Sequence, residues 1–128
     1  MKGMTVDPWI VDLFATIDRM DSTGFAKAFA EDATFRFGNL EPAVGRQELE
    51  QAVAGFFSTV DGLTHEITGV WTGRWEGGDV TSVESGVTYT RKDGGVVGPL
   101  PATTTIRLHG DEIQDYRIFM DVGPLFAA

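Results

Sequence analysis

The sequence predicts an α+β fold in which N-terminal helices pack on a strongly curved, mainly antiparallel sheet. Two observations carry this. Apolar residues recur at helical spacing only in the first 60 residues, and after Gly62 the apolar pattern has period two, broken by glycine-containing turns. Helices segregated from an antiparallel sheet exclude a doubly wound nucleotide fold. Long strands beside about three short helices also imply a hollow between sheet and helices, a natural place for a ligand.

Each element follows from its residues. Trp9, Ile10, Leu13, Phe14, Ile17 and Met20 form a first helical stripe; Asp7 is placed to cap it, and Pro8 suits a first turn, where its missing N–H costs nothing. A second, short helix is expected to start near Asp21 and Ser22, with Phe25 and Phe29 on one side. Residues 33–37 switch to period two, with Phe35 and Phe37 on one face and Thr34 and Arg36 on the other, which reads as a first strand. Residues 38–45 hold Asn39, Pro42 and two glycines and form a loop. Leu49, Val53, Phe56, Phe57 and Val60 then restore a helical stripe. Four strands are expected at 63–75, 80–91, 96–109 and 112–121. The pairs Gly77-Gly78, Gly94-Gly95 and Gly110-Asp111 between them are the residue types that tight turns with positive φ require.

Composition bounds the function. The chain has 128 residues, 10 Lys and Arg against 19 Asp and Glu, and a formal charge of −9. Residues 1–128 read as one domain that buries roughly 65–70% of the unfolded surface. The absence of cysteine excludes disulfides, thiolate catalysis and cysteine-based metal sites. No basic run exceeds Arg91-Lys92, so neither nucleic acid nor an anionic membrane surface is an expected partner. Asp7, Asp12 and Asp18 interrupt the N-terminal apolar run, which is therefore no signal peptide, and no stretch of roughly 18 uncharged residues occurs. The expected location is cytoplasmic.

Three segments resemble the SnoaL-like branch of the NTF2-like superfamily, which also holds ketosteroid isomerases and limonene-epoxide hydrolases. They are AFAEDATFRF (28–37), PAVGRQELEQAV (42–53) and DEIQDYRIFMDVGPLF (111–126). The resemblance implies a cone-shaped NTF2-like barrel with a mostly apolar pocket, present as a homodimer packed through the outer sheet face. It also implies what is missing. The places of the ketosteroid isomerase tyrosine, general-base aspartate and protonated acid hold Leu13, Phe37 and Thr104; those of the epoxide hydrolase Asp–Arg–Asp set fall at Ile118, Ser85 and Val87. Neither reaction has its groups. A SnoaL-type cyclase needs one buried acid/base group, which no motif marks uniquely.

By the same alignment Tyr116, Ile118 and Met120 on the last strand face the hollow, with Leu100, Ala102, Thr104 and Ile106 on its neighbour. The full expected lining is Leu13, Ile17, Phe37, Phe57, Trp71, Leu100, Ala102, Thr104, Tyr116, Ile118 and Met120. Three residues are candidate acid/base groups. His65 lies in phase with Ile67 and Trp71; if that face is inward, it is the one imidazole placed for acid/base work, although an edge histidine with no such role fits its place as well. Glu84 shares a face with Ser82, Gly86 and Thr88, read as the outer one; one slip of register turns it into the pocket as a raised-pKa carboxyl. Asp121 either acts on a ligand or caps the following turn or pairs with Arg117, Arg74 or Arg36. Tyr116 is a donor for a ligand carbonyl or a core tyrosine. His65 and His109 lack metal-ligand spacing, so no metal and no cofactor is expected. The leading reading is a binder of a small apolar molecule (polyketide, terpenoid or steroid-like). The alternatives are a cyclase, isomerase or lyase acting on such a ligand, and a protein-interaction adaptor using the outer sheet face.

Overall fold

A computed structural model describes residues 5–127. The helices α1 (Pro8–Asp18) and α2 (Ser22–Ala26) lead into β1 (Phe29–Phe37); β2 (Ala43–Val44) and α3 (Arg46–Phe57) follow, then β3 (Val60–Trp75), β4 (Gly78–Arg91), β5 (Val96–His109) and β6 (Glu112–Phe119), and a last turn of helix, α4 (Gly123–Phe126). The six strands form one sheet in the order β2-β1-β6-β5-β4-β3, antiparallel throughout except for β1 beside β6. This is the expected α+β architecture, with helices on the concave side of a curved sheet. No helix among the described residues is long and apolar enough to cross a membrane.

The element boundaries differ from the sequence expectation where tertiary pairing wins over local pattern. Phe29 is the first residue of β1 rather than part of α2. The Asp21 side chain caps α2 through the Gly24 N–H, the helix closes after one turn, and Phe29 then pairs with Ile113 of β6. The loop after β1 contains the two-residue strand β2, and its Gly45, at φ +93°, gives the Ala33 carbonyl a backbone bond before α3 begins. Arg46 at the start of α3 donates from Nε to the Phe29 carbonyl at 3.0 Å, tying that helix to the entry of β1.

The core sits between the concave face and the helices. Ile10, Leu13, Phe14 and Ile17 are the buried stripe of α1; Leu49, Val53 and Phe57 are that of α3. From the sheet, Val83, Ser85, Val87 and Tyr89 of β4 alternate inward, as do Ala102, Thr104 and Ile106 of β5. An aromatic cluster joins β1, α2 and β6. Tyr116 meets Phe25 edge-on at 5.2 Å between ring centroids and stacks on Phe35 at 5.6 Å. Such pairs add directional stabilisation to an already large apolar burial.

Candidate functional site

The concave side does not close completely. A cavity of about 120 Å³ remains between α3, the end of α1 and the sheet. Its walls are largely apolar. Ile17 comes from α1, Val53, Phe56 and Phe57 from α3, and Phe35 and Phe37 from β1. Leu63 and His65 line it from β3, Val87 and Tyr89 from β4, Ala102 and Thr104 from β5, and Tyr116 and Ile118 from β6, with Met120 just beyond. The exposed Leu40 and Glu41 of the loop after β1 border it on the solvent side, and the Phe37 and Phe56 rings, 5.0 Å apart, pack beside them. Arg36 Nε donates to the Leu40 carbonyl at 3.1 Å and holds that loop.

Of the residues expected to line the hollow, Ile17, Phe37, Phe57, Ala102, Thr104, Tyr116, Ile118 and Met120 do so. Three do not. Leu13 is buried one helical turn before Ile17, in the closed part of the core. Leu100 pairs with Val87 and packs at the margin of the core without reaching the cavity. Trp71 lies on the outer face, 57% exposed, with its ring over Gly69. The cause is the irregularity between Ile67 and Gly69: one extra residue inverts the alternation, so that Trp71 pairs with outward Ser82 while His65 pairs with inward Val87.

The acid/base candidates separate in the same way. Glu84 is exposed on the outer face between buried Val83 and Ser85, and Thr68 Oγ1 donates to its carbonyl at 3.2 Å. Asp121 is exposed and accepts the Gly123 N–H at 2.8 Å, capping the turn into α4. Its expected arginine partners are engaged elsewhere: Arg117 with Asp115, Arg74 with Asp79 and Arg36 with Leu40. Neither carboxylate reaches the cavity.

His65 does, and it is not alone. Asp18, the last residue of α1, takes both the main-chain N–H of His65 (3.1 Å to Oδ2) and its ring Nδ1 (2.6 Å to Oδ1). The contact follows from topology. Because β3 is an edge strand, the His65 N–H has no strand to pair with on its free side, and the end of α1 supplies the acceptor. An ionised carboxylate only accepts, so a neutral imidazole carries its proton on Nδ1 and keeps its lone pair on Nε2. The ring also stands edge-on to Phe14, with centroids 5.0 Å apart, and both partners are mostly withdrawn from water. Among the described residues Nε2 has no hydrogen-bond partner. The result is an oriented imidazole with a carboxylate behind it and an apolar cavity beside it, a geometry that can take a proton from or give one to a molecule in the cavity.

Two tyrosines complete the polar lining. Tyr116 is 1% exposed; burial raises its pKa well above the ordinary phenol value, a hydrogen bond with Thr104 working against the rise. Its three phenylalanine neighbours make it largely a core residue. Tyr89 was absent from the expected site. Its pKa is pushed up to about 12 by burial, and its hydroxyl reaches the Met120 thioether at 3.7 Å. The signal for Tyr89 was present, since Glu84, Gly86 and Thr88 outward put Val87 and Tyr89 inward. Asp18 carried no such signal: its partner lies 47 residues away. Among the described residues no three His, Asp or Glu side chains are grouped to hold a metal ion.

A family model, the SnoaL-like domain, matches residues 10–116. The chain belongs to the SnoaL-like family. Solved structures agree on the fold. This SnoaL-like chain superposes with a TM-score of 0.80 on a hypothetical protein with a ketosteroid isomerase-like fold from Catenulispora acidiphila, solved in complex with trimethylamine. The two are 16% identical over 94% of this chain and 90% of that one. A protein from a Jannaschia species called a SnoaL-like polyketide cyclase gives a TM-score of 0.70 at 17% identity, covering 94% of this chain and 92% of that one. TerC, co-crystallised with polyporic acid, gives 0.70 at 12% identity and 88% coverage of each chain. At such identities the likeness establishes the fold alone. No functionally curated protein matches.

Proposed function

We propose that this SnoaL-like protein binds a small apolar molecule in the hollow and moves a proton on it with His65, in the manner of a cyclase, isomerase or dehydratase. The observation that carries the reading is the Asp18–His65 pair in the wall of an otherwise apolar cavity. His65 Nε2 would take a proton from a carbon or hydroxyl of the ligand, the resulting imidazolium would be balanced by Asp18, and the proton would return to a second position on the same molecule. Without that pair the leading expectation, a binder with no chemistry, would stand; with it the enzyme alternative has its one group. The names of structural relatives support the ligand class: one is called a polyketide cyclase and another was co-crystallised with polyporic acid.

The cavity is on the scale of one ring, since an engineered apolar cavity of about 150 Å³ takes benzene. A polyketide, terpenoid or steroid-like molecule would seat one ring and leave past Leu40 and Glu41. The homodimer belongs to the same proposal. Trp71 and Phe119, each more than half exposed, lie on the outer sheet face through which the family resemblance implies pairing.

A thermal-shift screen against polyketide, terpenoid and steroid ligands tests the reading. A ligand at about a hundredfold its Kd adds ~2.7 kcal/mol of stability, several degrees in Tm at this size. His65→Ala is expected to keep the shift and lose turnover. A panel without a shift contradicts the binding reading; turnover at the wild-type rate in His65→Ala contradicts the chemistry and leaves a binder.

A further inference from the structure

Tyr89 presents a hydrogen-bond donor that the fold itself does not use well. It is 2% exposed, and its hydroxyl finds only the Met120 thioether among the described residues, at 3.7 Å. Sulfur is a weak acceptor, so the hydroxyl loses little by turning to an oxygen. The half-buried Trp75 Nε1 is better served, giving its proton to the Leu108 carbonyl at 2.9 Å. A buried donor with a poor partner, in the wall of a cavity, is a place where a ligand acceptor gains the most.

Its position relative to His65 is fixed by the sheet. Leu63 pairs with Tyr89 and His65 pairs with Val87, so His65 and Tyr89 are diagonal neighbours on the inner face. Residues so related stand roughly 7–8 Å apart, their Cβ atoms somewhat closer, and both side chains line the same cavity. Around them the cavity is closed by Phe37, Phe56, Ile118 and Met120, which offer a ring contact area and no competing oxygen. The high phenol pKa keeps the proton on Tyr89 across the physiological range.

We propose that the Tyr89 hydroxyl anchors an oxygen of the ligand, so that the cavity accepts cyclic ketones, enones and phenols whose oxygen a wholly apolar wall would reject. This rests on the cavity being the ligand site and adds its chemical class. A carbonyl held by Tyr89 sets the ring carbons toward His65, and the carbon next to a polarised carbonyl is the one whose proton an imidazole can remove. The proton leaves carbon for Nε2, the electron pair moves onto the carbonyl oxygen as an enolate, and the Tyr89 O–H hydrogen-bonds that oxygen. Reprotonation at a second carbon restores both groups.

The probes are 2-cyclohexenone and cyclohexene, which differ in one oxygen. The ratio of enone to cyclohexene affinity is expected to be about tenfold higher in the wild type than in Tyr89→Phe, because the variant leaves the buried carbonyl without its donor. Cyclohexene affinity itself should be kept in Tyr89→Phe, which also reports that the variant folds. The infrared carbonyl stretch of bound enone should lie at lower frequency in the wild type than in Tyr89→Phe, a signature that a purely structural role of the ring would not move. In Met120→Leu, which removes the competing thioether, the ratio should persist or grow. A ratio and carbonyl frequency unchanged in Tyr89→Phe overturn the proposal while leaving the cavity as the ligand site. Binding of neither probe overturns it together with the reading on which it rests.

Discussion

Alkaline titration measures the burial of the cavity's two tyrosines directly, because Tyr89 and Tyr116 are the only tyrosines in the chain. Both phenols have raised pKa values in the folded state, Tyr89 from 10.0 to about 12. Below pH 10 each is neutral in both states and the stability is complete. Between pH 10 and 12 the unfolded chain releases protons that the folded one keeps, so stability falls as pH rises through the folded pKa. Two pH units at ~1.4 kcal/mol per unit give about 3 kcal/mol lost through Tyr89 alone, and Tyr116 acts in the same direction. The assay is tyrosinate absorbance and far-ultraviolet circular dichroism recorded on the same samples. Little tyrosinate is expected below about pH 11, and the two phenolates should then appear together with loss of secondary structure. Tyr89→Phe should flatten the decline in denaturant-derived stability over this range. Tyrosinate appearing with a midpoint near pH 10 while the dichroism stays native would refute the burial on which the cavity description depends.

Four other substitutions follow from the same packing. Phe25→Ala removes the ring that touches Phe29, Phe35 and Tyr116 and should destabilise by ~3–5 kcal/mol in urea unfolding; a loss under about 1 kcal/mol would mean the cluster is not a packed unit. Glu84→Gln and Asp121→Asn, both outside the cavity, should each stay within ~0.5 kcal/mol of wild type and leave ligand affinity unchanged, and a weakened ligand would place either carboxylate back in the site. Trp71→Ala should likewise leave affinity intact, since the irregularity at Thr68 turns that ring outward; an affinity loss would contradict the register of β3 on β4.

Much of the fold was legible because its signals are local. The stripes of α1 and α3 and the glycine turns between long strands need no tertiary information, and Gly78, Gly94 and Gly110 indeed take positive φ at the three hairpins. What was not legible depends on pairing. Phe29 reads as helix by its spacing from Phe25 and becomes strand because Ile113 is beside it. The outward turn of Trp71 comes from a single extra residue in β3, which leaves no mark in the apolar pattern. For the site, the family resemblance with alternation behind it put Ala102, Thr104, Tyr116 and Ile118 on the cavity side, whereas His65 read equally as an edge histidine. Asp18 read only as a charge interrupting an apolar run, and it gains a chemical meaning when the end of α1 meets the free edge of β3.

The measurement that bears most directly on the central claim is the tautomer of His65 in a long-range proton–nitrogen spectrum, assigned against His109→Gln, with and without 2-cyclohexenone. With the ring neutral, the account predicts the Nδ1–H form, held by Asp18, and an Nε2 resonance that moves when the ligand is added. An Nε2–H tautomer, or an Nε2 resonance indifferent to a ligand that demonstrably binds, would contradict the assignment of His65 as the group that meets the ligand.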